Sequence, residues 1–316
     1  MKKEKIALIG YGYWGKKLYG YLQESPQFDL VYVHFRSLKK LSLEKIHADY
    51  GKEFVPDIET IWENKEVAHV VISTPVNTHF ALAQEALLHK KNILVEKPLT
   101  LTEEEACSLR SIAKKEGLCI MTEYVFTFSK ALEKAREIVL SGQLGAVKSI
   151  QIFLKQLGRF LDYDVFVVLG SHALSMLDLF VPLHQCRFSA QALMDTKDIV
   201  TAGIISFSSQ EEDLVGTIDV SLHCPQRDKR MIIYGEKGTL VYDLFAEKTL
   251  SYTLYKTGDS DNLRDLIEKE ESFSFDESHN LRYALENFYD VVKGKKESNL
   301  ESAIAVTSVL ESLNII

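Results

Sequence analysis

Apolar and polar positions follow two different rhythms along this chain, and the rhythm changes near residue 124. In the first part, short and almost wholly apolar runs are separated by helix-length segments. The run Ile6-Ala7-Leu8-Ile9 has the composition of a strand buried on both faces. A helix is predicted over residues 14–23, stopped by Ser25-Pro26, then a strand over 30–35. The same alternation predicts a strand over 67–73, a helix over 80–89 that Asn77 or Thr78 can cap, and a strand over 92–95. Thr102-Glu103-Glu104-Glu105 reads as a capping box opening a helix that runs to about residue 115, and 117–122 is a sixth strand candidate. Parallel strands joined by helical crossovers make an α/β, doubly wound parallel sheet.

The second rhythm is the period of two. After a helix over 129–140, ended by Gly142, a long strand is predicted over 147–157. Ile204, Ile205 and Phe207, and then Leu214, Ile218, Val220 and Leu222, lie among polar and small residues as in antiparallel strands. Further strands are predicted at 188–194, 230–234, 239–242 and 250–255, and helices at 279–293 and 302–313. The charged stretch 256–271 reads as a loop. The expectation is two domains: residues 1–123, a dinucleotide-binding domain, and 124–316, an α+β domain with a large, mostly antiparallel open sheet for substrate binding and oligomerisation.

Composition narrows the class without naming a chemistry. With 316 residues, 46% hydrophobic and 26% charged, the chain has enough apolar material for two cores. No apolar run is long enough for a membrane helix, and the basic start lacks the pattern of a signal peptide. Cys107, Cys119, Cys186 and Cys224 form no CxxC pair, which fits a reduced, cytoplasmic setting. A net charge of −8 argues against general nucleic-acid binding.

The candidate chemistry sits at the ends of the apolar runs. Gly10-Tyr11-Gly12-Tyr13-Trp14-Gly15 follows the first strand and opens a helix, the setting in which GxGxxG cradles a pyrophosphate. Near the end of the second strand an NAD site would carry an acid for the ribose 2′-hydroxyl. This chain has Arg36-Ser37, followed by Lys39-Lys40. A guanidinium can grip a 2′-phosphate, so NADP is favoured over NAD; the other reading stacks Arg36 on adenine and admits both. Glu96-Lys97-Pro98 ends the fourth apolar run. A lysine there can donate a proton to an oxygen becoming a hydroxyl. His184, Cys186, His223 and Cys224 have no third ligand at a zinc-like spacing, so no metal is expected. A GxSxG nucleophile elbow is missing too.

Taken in order, Gly10-x-Gly12-x-x-Gly15, Thr74-Pro75-x-Asn77-Thr78-His79 and Glu96-Lys97-Pro98 resemble the Gfo/Idh/MocA family, the relatives of glucose–fructose oxidoreductase and inositol dehydrogenase. The resemblance continues through Ser141-Gly142-Gln143-Leu144-Gly145 and Gly235-Glu236-Lys237-Gly238-Thr239-Leu240. It implies a Rossmann domain and hydride transfer between a nicotinamide and a secondary alcohol or ketone carbon. The substrate would be a sugar, cyclitol or nucleotide-sugar. The family's cofactor positions fall on Gly10, Gly12, Tyr13, Trp14, Gly15, Arg36, Ser37, Thr74, Pro75, Asn77, His79, Glu96 and Lys97. Lys97 and His172 match the catalytic pair, and a homodimer or homotetramer would form through the second sheet. His172 reads as lying in the first turn of a helix entered through Gly170, where a helix terminus would favour neutral imidazole.

Many relatives carry an aspartate four residues before that histidine, where this chain has Val168. Three readings stand side by side. Lys97 and His172 suffice; or Tyr163 or Asp164 reaches the site by another route; or the protein binds cofactor without rapid turnover, as a redox sensor. Tyr124 and Arg159 are further substrate-pocket candidates.

Overall fold

The short apolar runs become the strands of one parallel sheet. The computed structural model describes residues 3–158, 163–196, 198–211, 213–256, 258 and 261–314. Along the chain come β1 (Glu4–Ile9), α1 (Tyr13–Glu24), β2 (Phe28–His34), α2 (Leu43–Asp49) and α3 (Glu59–Glu63). Then follow β3 (His69–Ile72), α4 (His79–Leu88), β4 (Asn92–Glu96), α5 (Glu103–Glu116) and β5 (Ile120–Glu123). The sheet order is β2-β1-β3-β4-β5, and every pairing is parallel. The sixth strand candidate is therefore the fifth strand, at the edge. The sheet order reverses between β1 and β3, the kind of switch point where open α/β sheets bind ligands.

Register sets what the sheet presents. Ile9 is level with Ile72, and Ile72 with Val95, so Gly10, Ser73 and Glu96 leave the sheet side by side at one edge. Glu96 in turn is level with Glu123 of β5. Thr102 caps α5 as its sequence predicts, its hydroxyl accepting from Glu105 N at 3.2 Å. The return bond goes one residue further back, from Leu101 N to Glu105 Oε2 at 3.3 Å. Neither Asn77 nor Thr78 caps α4: Thr78 Oγ1 instead donates toward Thr74 Oγ1 and the Pro75 carbonyl.

The second sheet has eight strands. Its elements are α6 (Lys130–Leu140), β6 (Val147–Leu157), α7 (Ser171–Asp178), β7 (Cys186–Thr196), β8 (Ile199–Ser209) and β9 (Val215–Ser221). They continue with β10 (His223–Gly235), β11 (Gly238–Asp243), β12 (Leu250–Tyr255) and β13 (Ile267–Phe273). The order is β13-β12-β11-β10-β6-β9-β8-β7, antiparallel except for the β6–β9 pair. Along β6 the buried Ile150, Ile152 and Leu154 alternate with the half-exposed Gln151, Phe153 and Lys155. One face thus carries the core and the other is open.

β13 corrects the expectation of a loop over 256–271. Glu268, Lys269, Glu270 and Glu271 hide the strand from a hydrophobicity reading, yet Tyr252 of β12 pairs opposite Glu271. Charge is what a sheet edge carries to discourage a further strand.

The chain divides into two compact units, Met1–Tyr124 with Leu281–Thr307, and Val125–Asn280 with Ser308–Ile316. The closing helices α8 (Asn280–Val292) and α9 (Leu300–Ser312) were expected with the second sheet, yet most of their length belongs to the first unit. Two contacts account for it. Phe288 of α8 stacks on Phe28 of β2 at 5.9 Å. Asn299 saturates the backbone at Thr122, accepting from its N–H at 2.9 Å and donating to its carbonyl at 2.7 Å.

Candidate active site

The glycine turn is built as its spacing requires. Gly10 has φ +102°, and a Cβ there would lie 2.1 Å from the Ser73 carbonyl oxygen. A Cβ on Gly15 would lie 2.2 Å from the Gly10 carbonyl oxygen, so only glycine lets α1 approach the strand. A Cβ on Gly12 would meet nothing within 4 Å. That open space lies at the N-cap of α1, which has no side-chain cap and no acid in its first turn. A helix start without a side-chain cap, the positive helix dipole and the open space fit a dinucleotide pyrophosphate. Tyr13 and Trp14 begin the helix and stay substantially exposed, with the Lys17 ammonium 4.6 and 4.3 Å from their rings.

At the end of β2, Arg36 and Ser37 open a short 3-10 turn, both exposed, with no acid in its first turn. Beside them lies an aromatic cluster that sequence reasoning missed. Tyr11, from inside the glycine turn, stacks on Phe35 at 5.7 Å and meets Phe54 edge-on at 5.0 Å. Tyr50 packs on Phe35 and Phe54, and Tyr19 donates to Glu53 at 2.7 Å. A Tyr at position 11 is visible in the sequence, but its partners come from three separate segments.

The loop after β3 is tied to the loop after β4 by a buried histidine. His79 places Nδ1 2.8 Å from the Pro98 carbonyl and Nε2 2.9 Å from the Thr74 carbonyl. It therefore acts as a clamp that holds Thr74 and Pro98, while Pro75 and Asn77 remain exposed. Lys97 follows the end of β4, and its peptide bond to Pro98 is cis. Burial draws its ammonium down to about 8, against the pull of Glu96 and Glu123 that favours the charged form. Burial likewise pushes both carboxyls well above the usual range. Glu123 was not singled out from sequence. Its signal was its place at a strand end level with Glu96, which only the β4–β5 register reveals. Tyr124, the next residue, is fully buried.

The remaining candidates lie in the second unit. His172 is buried in α7, its ring edge-on to Phe126 at 5.2 Å. The Lys229 ammonium lies 5.2 Å from the same Phe126 ring, a cation that sequence reasoning also missed. The helix does not begin at Gly170. A π-helical turn, Phe166–Gly170, runs into α7 with Gly170 itself helical. His172 is thus inside continuous helix, away from the helix terminus that Gly170 suggests in the sequence.

Val168 lies in that π turn, half-buried. Asp164 accepts from Val200 N at 2.7 Å through its carboxylate, and its carbonyl accepts from Val167 N and Val168 N. It therefore serves to anchor β8 to the π turn. Tyr163 is half-buried beside it, and Arg159 lies outside the described residues. Among the described residues no group of three His, Cys, Asp or Glu could hold a metal ion, and no helix is long and apolar enough to cross a membrane.

Comparison with known proteins agrees with this construction. Over 111 residues the chain is 34% identical to 1-carboxy-3-chloro-3,4-dihydroxycyclo hexa-1,5-diene dehydrogenase of Comamonas testosteroni, covering 35% of this chain and 28% of that protein. Over 126 residues it is 30% identical to dTDP-3,4-didehydro-2,6-dideoxy-alpha-D-glucose 3-reductase of Streptomyces violaceoruber, covering 40% of this chain and 36% of that protein. Among these and like curated relatives the chain spans 28% to 39% of the relative's own length. The fold is that of UDP-N-acetylglucosamine 3-dehydrogenase GnnA from Acidithiobacillus ferrooxidans, with TM-score 0.83 at 18% identity over 99% of this chain and 97% of that one. Residues 4–124, which carry the glycine turn, the His79 clamp and Lys97, match the Gfo/Idh/MocA family model described as "Oxidoreductase family, NAD-binding Rossmann fold".

Proposed function

We propose that this protein is an NADP-dependent oxidoreductase that moves hydride between C4 of the nicotinamide and a ring carbon bearing a secondary hydroxyl or ketone. The substrate class is a sugar, cyclitol or nucleotide-linked sugar. The observation that carries the reading is the alignment at one sheet edge: parallel register sets Gly10, Ser73 and Glu96 side by side, with Lys97 next in the chain. The pyrophosphate cradle and the candidate acid therefore share the edge at which such sheets bind ligands.

The nicotinamide supplies the hydride; the protein's own residues bind, align and manage the proton. Gly10, Gly12 and Gly15 admit the pyrophosphate, with Tyr13 and Trp14 beside it. Arg36 and Ser37 face a 2′-phosphate. Thr74, Pro75, Asn77, His79 and Glu96 shape the nicotinamide side. Lys97 Nζ gives a proton to the carbonyl oxygen during reduction and takes one back during oxidation. His172 is assigned to the substrate hydroxyl, with Tyr124, Arg159, Tyr163 and Asp164 as pocket candidates. The open face of the second sheet, where Phe153, Ile204, Ile232 and Val241 are half-exposed, is assigned to a second copy of the chain as homodimer or homotetramer. A cytoplasmic location goes with this reading.

A second reading, a redox sensor that holds cofactor without turnover, is favoured by Val168. One experiment separates them: NADPH is mixed with a panel of keto-sugars and cyclitol ketones, and cofactor absorbance is followed. Turnover in the wild type that vanishes in Lys97→Met, with NADPH binding retained, supports the enzyme. Tight NADPH binding with no turnover anywhere on the panel supports the sensor.

A further inference from the structure

Two carboxyl groups lie buried next to the candidate proton donor, and only one of them belongs to the motif that drew attention to it. Glu96 and Glu123 are level with each other on the neighbouring strands β4 and β5 and are nearly inaccessible to solvent. Among the described residues, Glu96 Oε1 and Glu123 Oε1 are each buried without a hydrogen-bond partner. Two ionised carboxylates hold only acceptors, so neither can satisfy the other unless one carries a proton. We propose that Glu96 and Glu123 share a single proton and present one negative charge, spread over both, to Lys97, which makes Glu123 a positioning residue for the candidate acid. This rests on the reading of Lys97 as proton donor.

The charge balance supports the assignment. Two buried negative charges side by side would repel each other without water to screen them. One proton between them removes that repulsion and leaves a single negative charge facing a single ammonium. The titratable groups meeting at this place are Glu96 and Lys97 from β4 and its end, Glu123 from β5, and His79 from α4. Both nitrogens of His79 are engaged by backbone carbonyls, so its ring is occupied in holding the loops. Glu96 Oε2 also lies 3.3 Å from the Lys97 backbone N–H, which fixes that carboxyl beside the lysine. Glu123 has no such tie to the Lys97 backbone; its part is to carry or accept the shared proton. Burial raises both carboxyls above the usual carboxylate range, which favours a proton on the pair.

The experiment uses the full chain with two readouts that need no substrate. The first is infrared difference spectroscopy at neutral pH, comparing wild type with Glu96→Gln and with Glu123→Gln. The expected result is a protonated-carboxyl C=O band in the wild type that disappears in each single variant. The second is NMR titration of 13C-methylated lysines, with the Lys97 signal identified by its loss in Lys97→Arg. Each single variant removes one acid together with the shared proton, so one negative charge stays and the Lys97 midpoint moves by less than about half a unit. The double variant Glu96→Gln/Glu123→Gln removes the charge, and the midpoint falls by about one to two units.

A wild type without the protonated-carboxyl band overturns the proposal. So does a fall of about one unit or more in either single variant, since that marks two independent charges. If the double variant does not fold, the wild-type band and the single variants still decide. Loss of turnover in Lys97→Met tests the assignment of the donor separately, so failure of either idea can be told from failure of the other.

Discussion

At the scale of single residues, the proposed chemistry depends on a lysine that folding has moved toward neutrality. Its pKa of about 8 lies below the unfolded value of about 10.4. A donor must be an ammonium, so kcat/KM for ketone reduction should be level below pH 8 and fall about tenfold per pH unit well above it. The sign for stability is opposite. Between these two values the unfolded chain binds more protons than the folded one, so this group's penalty is fully present below pH 8 and fades as pH rises. Thermal melts of wild type and Lys97→Met should therefore draw apart less, or change order, between pH 8 and pH 10. Arg36 offers a second residue-scale test. Arg36→Asp should weaken NADPH binding by about tenfold or more, through loss of a charge-assisted pair worth about 1.5–3 kcal/mol, and leave NADH binding little changed. Equal weakening of both cofactors, measured by fluorescence titration, would instead favour stacking on adenine.

At the scale of elements, some features were legible in the sequence and others were not, for identifiable reasons. The turn at Gly10 and Gly15 was legible because backbone sterics leave almost no other residue there, and the close contacts with Ser73 and Gly10 bear this out. The strands of the first sheet were legible because burial on both faces leaves continuous apolar runs. β13 was not, since an edge strand satisfies only half of its backbone partners and carries charge on purpose. The start of α7 was misread because a glycine before a histidine looks like a helix entry, whereas Gly170 continues a π turn. Glu123 stayed hidden because its meaning depends on which strand is its neighbour. Asn299 shows the same limit: residues 122 and 299 meet only once α8 and α9 have returned to the first sheet. Asn299→Ala removes both bonds to Thr122 and should cost about 1–3 kcal/mol in urea unfolding, with m unchanged.

At the scale of the whole molecule, the open face of the second sheet is the surface most in need of a cover. A half-exposed mixture of Phe153, Ile204, Ile232 and Val241 with Gln151, Thr217 and Asp219 suits a second protein surface of similar character. Sedimentation should show a homodimer or homotetramer, and Ile232→Glu should reduce it to smaller species while NADPH binding persists. A wild-type monomer at tens of micromolar would remove the second copy from that face. The helix that packs Phe288 onto Phe28 bears on synthesis itself. The unit that holds the first sheet is completed only by residues 281–307, which follow the whole of the second sheet in the chain. A chain that stops short of those residues would leave Phe28 without Phe288 and Thr122 without Asn299, and an excised fragment ending at residue 124 should be sticky and chaperone-bound for the same reason.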